Sequence, residues 1–395
     1  MAKDYTFKNT IPLAPLKIIA MENCGDLGKK VDEYIVSFRK NDKEILKARE
    51  NNIEFRGYDR DSYLAHVSCP RFGSGEAKGT ISESVRGADV FIITDVINYS
   101  ITYSMYGKEH LMSPDDHYQD LKRIISAALP TARRVNVVMP FLYESRQHKR
   151  TQRESLDCAI ALEELANMGV ANIITYDAHD PRVQNAIPLH DFDSFSAVYQ
   201  FMKTLLHADK TLTIDKNSLM VISPDEGAMG RAVYLANNLG VDMGMFYKRR
   251  DYSKIVNGKN PIVAHEFLGS DVEGKDVIII DDMIASGDSM LDTAKELKRR
   301  KAKKVIVCCT FGLFTSGFDH FDEAYQNGDF DYVITTNLNY RKPELLEKPW
   351  YREADMSKYV ATIINTLNHD VATSGVMSPT EKVQRLINRY KDDDL

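Results

Sequence analysis

Two adjacent carboxylates, Asp281 and Asp282, follow an unbroken apolar run at residues 277–280 and precede the small-residue turn Ala285-Ser286-Gly287-Asp288-Ser289. Four Val and Ile residues in a row are the pattern of a strand buried on both faces, and residues 289–300 repeat their apolar positions at three and four, as a helix does. The turn between them offers backbone N–H groups and the positive end of a helix dipole to an anion. Ligands of open α/β sheets sit beyond the C-terminal ends of strands. The acid pair is therefore placed to hold a sugar diol or a hydrated magnesium ion, while Ser286, Gly287 and Ser289 cradle a phosphate. Paired acids after a strand can also simply cap a helix, but the Ser-Gly-x-Ser turn behind them favours the ligand reading.

Other stretches suit a polyphosphate. Arg146, Lys149, Arg150 and Arg153 crowd into a short segment after the apolar run at 135–139, and such cations attract phosphate. A charge run is more often a solvated helix face; its position at a strand end reverses that preference. His179 follows the run at 172–176 in the same way, and Asp225 with Arg231 follows the run at 219–222. Tyr247, Lys248, Arg249 and Arg250 come next, and Arg71, Phe72, Ser74 and Glu76 form a short loop with a flat apolar ring beside an acceptor.

These residues are positioned by short apolar runs at 16–21, 90–94, 135–139, 172–176, 219–222, 277–280, 305–309 and 332–335. Segments of helical periodicity, such as 156–167, 230–239 and 289–300, lie between them, so the class is α/β with parallel sheets. The strand, helix, strand order appears before about residue 188 and again after about 212, which predicts two similar domains joined near residue 190. The Lys- and Glu-rich segment 36–61 reads as an insertion, helical at 42–50. The segment from 251 to about 274 reads as a lid. From residue 378 the pattern is a short amphipathic helix whose Val383, Leu386 and Ile387 dock on the body or on a neighbouring subunit.

The chain has 395 residues with 43% apolar content, enough for two cores. A net charge of −6 with dispersed Lys and Arg does not favour a nucleic-acid partner. Five cysteines without metal-ligand spacing argue against a disulfide framework or a zinc site. The first 15 residues lack the pattern of a signal peptide and no long apolar run follows, so a cytoplasmic protein without membrane contact is expected.

Residues 281–289 resemble the phosphoribosyl pyrophosphate-binding signature of phosphoribosyltransferases and ribose-phosphate pyrophosphokinases. The remaining stretches, in the same order along the chain, resemble the pyrophosphokinases, over roughly residues 16–377. The resemblance implies two tandem phosphoribosyltransferase-type I domains, at 1–188 and 189–340, with helices at 341–395 partly packing back on the first. It implies transfer of the terminal pyrophosphate of ATP to the 1-hydroxyl of ribose 5-phosphate, with Mg2+ as cofactor. By the same resemblance Phe72, Glu76, Arg146, Gln147 and His179 bind ATP, and His179 and Asp225 meet the metal. Asp281, Asp282, Ser286, Gly287, Asp288 and Ser289 bind ribose 5-phosphate, while Lys248 and Arg250 are the catalytic cations of a flexible loop. The Phe72 loop reaches the nucleotide site of an adjacent subunit in that family, which implies a dimer-based homo-oligomer, with hexamers usual there. This chain departs from the family at Ala285, Ser74 and His148, where Asp is usual, and has Glu226 at a variable position. Asp288 lies in the same turn as Ala285 and can stand in for the missing acid. A non-catalytic regulatory subunit of the same fold, and a phosphoribosyltransferase, are the other readings these residues permit.

Overall fold

The computed structural model describes residues 10–48, 55, 57–250, 262–377 and 379–392, without the side chains of 43–48, 248–250 and 262–265. The chain forms two units, one from residues 1–196, 337–340 and 355–377 and the other from 197–336, 341–354 and 378–395.

The first unit begins with β1 (Leu16–Ala20), α1 (Gly25–Ala48) and the short strands β2 (Val67–Ser68) and β3 (Thr80–Ile81). There follow β4 (Asp89–Ile93), β5 (Thr102–Met105), β6 (Lys108–Leu111), α2 (Pro114–Ala128) and β7 (Arg134–Val138). α3 (Asp157–Met168), β8 (Asn172–Tyr176) and β9 (Asp191–Phe195) complete the series. Strands β1, β4, β7, β8 and β9 pair in that order, all parallel. Every residue of β4 and β8 is buried, which is why both strands are mostly apolar and show no polar–apolar alternation. Helix α2 starts at a capping box, with Ser113 accepting from Asp116 N–H, Asp116 accepting from Ser113 N–H, and Pro114 in the first turn. The helix expected at 42–50 is the last part of α1, which runs unbroken from Gly25 because nothing in its Lys- and Glu-rich stretch stops a helix. Residues 49–54 lie outside the described residues.

The second unit contains α4 (Val198–Ala208), β10 (Leu219–Ser223), α5 (Met229–Leu239), β11 (Asp242–Arg250) and β12 (Ile262–Leu268). Next come β13 (Asp276–Ile284), α6 (Asp288–Arg299), β14 (Lys304–Gly312), α7 (Asp319–Gln326), β15 (Tyr332–Thr336) and β16 (Tyr351–Ala354). The strand order is β12-β11-β10-β13-β14-β15-β16, antiparallel between β11 and β12 and parallel in its other pairings. From β10 the chain builds outward through β11 on one side and through β13, β14 and β15 on the other. That reversal is the switch point of an open α/β sheet, and it opens a crevice at the C-terminal ends of β10 and β13.

Under the β13–α6 turn lies an aromatic core of Phe314, Phe321, Phe330 and Trp350, with the Trp350 ring stacked on Phe321 at 5.4 Å. The buried indole N–H is satisfied by Asp322 at 2.7 Å. The tail helix Thr380–Lys391 packs its Val383, Leu386 and Ile387 face in the second unit against α4 and α5, and Tyr390 Oη donates to the carbonyls of Asp209 and Leu212. It therefore docks on the body, as one of the two expected alternatives has it. Ser378 itself lies outside the described residues.

Candidate active site

Strand β13 pairs with β10 as far as Ile222 opposite Ile279, then continues five residues further beside β14 alone. That overhang carries the acid pair, with the β10 side open above it. Asp282 is buried and its Oδ2 lies 3.5 Å from an Arg231 guanidinium nitrogen on α5. Asp281 accepts from the Asp282 N–H at 2.8 Å. Burial, with the neighbouring Asp282 and Asp225 charges, pushes the Asp281 carboxyl well above the usual carboxylate range. Asp225, in the loop after β10, accepts from the N–H groups of Gly227 at 2.9 Å and Ala228 at 3.2 Å and so tightens the entry to α5. Three carboxylates with Arg231 as the cation beside Asp282 form a site that suits sugar hydroxyls or a hydrated divalent cation. Among the described residues no three His, Cys, Asp or Glu side chains are grouped so as to enclose a metal ion by themselves.

The turn after β13 is fixed from several sides. Gly287 has φ +98°, and a Cβ there would lie 2.4 Å from two ring carbons of Phe321, so both backbone and packing require glycine. His320 Nε2–H donates to the Ser286 carbonyl at 2.8 Å, and Thr315 N–H donates to the Ala285 carbonyl at 2.9 Å. Ser286 Oγ donates to Asp288 at 3.0 Å. The turn leads directly into the 12-residue α6, with Asp288 and Ser289 exposed in its first turn. Donors at a helix N-terminus beside two small hydroxyl side chains can bind a phosphate.

Lys248 and Arg250 lie at the far end of β11, and their backbones pair with His265 and Ile262 across a register shift at Arg249/Arg250. The loop expected at these positions is the rising arm of a hairpin, and residues 262–268 of the expected lid form its returning strand, because Ile262, Val263, Phe267 and Leu268 supply strand-forming side chains. Residues 251–261 lie outside the described residues, as do the side chains of Lys248 and Arg250.

In the first unit, β7 and β8 are neighbours, so the segments beyond their C-terminal ends converge. The imidazoles of His148 and His179 lie 5.3 Å apart, and His148 Nε2 is 3.5 Å from Asp180. The Arg182 guanidinium grips Asp180 at 2.5 to 3.1 Å and holds its carboxyl well below the usual range. Gln147 donates to the Ser155 carbonyl at 2.8 Å, which folds the cationic segment back on itself. Arg146, Lys149, Arg150 and Arg153 are exposed, and none has a carboxylate within 4 Å among the described residues. Such a cluster of exposed cations draws a polyanion.

The Phe72 loop is closed by Phe72 N–H to Glu76 carbonyl at 2.7 Å and Gly75 N–H to Phe72 carbonyl at 2.9 Å. Ser74 Oγ donates to Glu76 at 2.9 Å, and Phe72 is 54% exposed. The loop's outward bonds run to the turn between β5 and β6 through Tyr106, and to α2 through Arg71 to Asp120 at 2.6 Å, not to the Arg146 segment. His179 and Asp225 belong to different units. Sequence reasoning did not find His148 beside His179 and Asp180, nor His320 and Phe321 behind the turn. Both arrangements join distant parts of the chain. Arg231 was named within its motif without a partner.

Residues 16–169 match the N-terminal domain of ribose phosphate pyrophosphokinase, and residues 202–324 match the phosphoribosyl transferase domain. A ribose-phosphate pyrophosphokinase of Ralstonia nicotianae is 30% identical over 269 residues, 65% of this chain and 76% of that protein. One of Vibrio parahaemolyticus is 27% identical over 319 residues, 80% and 92% of the two chains. The crystal structure of phosphoribosylpyrophosphate synthetase from Mycobacterium smegmatis superposes with a TM-score of 0.67 at 20% identity, covering 90% of this chain and 99% of that one, a likeness of fold. With these matches spanning both units, the chain belongs to the ribose-phosphate pyrophosphokinase family.

Proposed function

We propose that this protein transfers the β,γ-pyrophosphoryl group of ATP to the 1-hydroxyl of ribose 5-phosphate, giving phosphoribosyl pyrophosphate and AMP. The observation that carries this reading is the overhanging end of β13, where an acid pair runs straight into an anion-binding turn. Asp281 and Asp282 accept the ribose hydroxyls, while Ser286, Gly287, Asp288 and Ser289 hold the 5-phosphate at the start of α6. With the sugar fixed at both ends, its 1-hydroxyl is oriented for in-line attack on the β-phosphorus, and orientation accounts for much of phosphoryl-transfer catalysis. Asp288, whose carboxylate already takes the Ser286 hydroxyl, supplies the acid that Ala285 lacks.

On the nucleotide side Phe72 stacks on the adenine, Glu76 accepts from its amine, and Arg146, Gln147 and His179 bind the phosphates. Asp225 and His179 are the residues that would hold Mg2+, which would supply positive charge against the charge developing on the transferred group. Lys248 and Arg250 act on the same charge from the end of β11. The protein works as a dimer-based homo-oligomer in the cytoplasm.

Purified protein incubated with ATP, Mg2+ and ribose 5-phosphate is expected to form AMP, and to form none when the sugar phosphate is omitted. Absence of AMP under conditions where a known pyrophosphokinase is active would overturn the proposal in favour of a non-catalytic regulatory subunit.

A further inference from the structure

Strands β5 and β6 are joined by a two-residue turn, Tyr106-Gly107, with φ of +50° and +73°. Turns of this kind take Asn-Gly or Gly-Gly most readily, because left-handed backbone crowds a Cβ. A tyrosine at the first position is a strained choice, and with 81% of its surface exposed its own burial does not account for it. The tip is fastened to the Phe72 loop, with Tyr106 N–H donating to the Gly73 carbonyl at 2.9 Å. Met105 fills the space beside Gly75, whose φ is +95° and where a Cβ would lie 2.5 Å from the Met105 sulfur. Tyr103 packs its ring under the Arg71 guanidinium at 4.9 Å, and Arg71 is anchored on Asp120. Hairpin and loop are thus one braced piece carrying two exposed aromatic side chains.

The spacing of those side chains has a chemical meaning. Backbones joined by a hydrogen bond run about 5 Å apart, and one further residue adds about 4 Å, so the roots of Phe72 and Tyr106 are within about 9 Å. A planar ring held between two aromatic faces needs those faces about 7 Å apart, which two flexible side chains on such roots can reach. We propose that Tyr106 supplies a second aromatic face for the nucleobase that stacks on Phe72, so that the base is gripped from both sides. This rests on the nucleotide-binding role of the Phe72 loop. A residue that spends backbone strain at a solvent-exposed tip is explained when its ring is covered by ligand.

The test compares Tyr106→Ala, Tyr106→Phe and Phe72→Ala in the full-length protein by calorimetric titration with ATP, and with inorganic tripolyphosphate, which lacks the base. Tyr106→Ala is expected to weaken ATP binding about five- to ten-fold, with tripolyphosphate binding unchanged and Tyr106→Phe restoring ATP affinity. If Tyr106→Ala leaves ATP affinity intact while Phe72→Ala lowers it, the second face is refuted and the nucleotide loop stands. Unchanged ATP affinity in both variants refutes the loop's role as well. Equal weakening of ATP and tripolyphosphate by Tyr106→Ala also overturns the proposal, since the residue would then act on the fold and not on the base.

Discussion

Replacing Gly287 by alanine separates two reasons for a glycine at the phosphate turn. A φ of +98° costs an L-residue about 1–2 kcal/mol. The added Cβ also meets Phe321 at 2.4 Å, and Phe321 cannot retreat because it is fully buried against Phe314, Phe330 and Trp350. Overpacking of that kind adds about 1–3 kcal/mol, for a total of about 2–5 kcal/mol. Gly240, which ends α5 at φ +68° with no atom within 4 Å of a built Cβ, is the internal control. Gly240→Ala carries a backbone cost alone, and a smaller one because φ +68° and ψ +33° lie within the left-handed region, so the difference between the two variants is an upper bound on the ring contact. Trp350 is the single tryptophan of the sequence and stacks on Phe321, so its fluorescence during urea unfolding reports on the core under the turn. Gly287→Ala is expected to unfold at lower urea than Gly240→Ala and to raise KM for ribose 5-phosphate while leaving KM for ATP within about two-fold. Equal stability of the two variants, within about 0.5 kcal/mol, would refute the packing argument.

Asp193 on β9 has its carboxyl raised to about 6, chiefly by burial and then by the Asp191 charge. Folding therefore favours its protonated form, and the contribution is full below about pH 4 and lost as pH rises through about 6. Asp193→Asn should stabilise the protein by about 1–2 kcal/mol at pH 7.5, after discounting for partial exposure, and by nothing at pH 4; a constant difference across that range in denaturant melts would contradict the assignment. Asp281→Asn removes a carboxylate that burial and its neighbours Asp282 and Asp225 disfavour, so melting at pH 7.5 should rise while KM for ribose 5-phosphate increases at least ten-fold. A variant that is less stable with unchanged KM would show that Asp281 is structural.

Much of this architecture can be read from local pattern. The Val277 to Ile280 run declares a strand because both faces of a parallel sheet are buried, and the turn behind it declares itself through glycine and serine. What escapes such reading depends on contacts between distant segments. His148 and His179 are separated by a helix and a strand, and only the adjacency of β7 and β8 unites them. The β5–β6 hairpin left a weak trace, four alternating residues before Tyr106-Gly107 and none after it, and a non-glycine residue in left-handed conformation hides the usual turn signal. Residues 262–268 resembled a lid because a strand at a sheet edge pairs on one side alone and needs no long apolar run.

Neither unit is a continuous stretch of chain, and this bears on how the protein is made. Helix α1 is closed in the first unit by the helix Ser357–Asn368, whose Asn365 and Asn368 receive the guanidinium of the buried Arg39. That cation, ringed by Tyr58 and Tyr63, leaves the ribosome about 330 residues before the amides it requires. At ordinary rates of synthesis the interval is roughly 15 to 65 seconds. The segment around Arg39 must wait, incomplete, for residues made much later, and no single cut of the chain would release the first unit as an independent module.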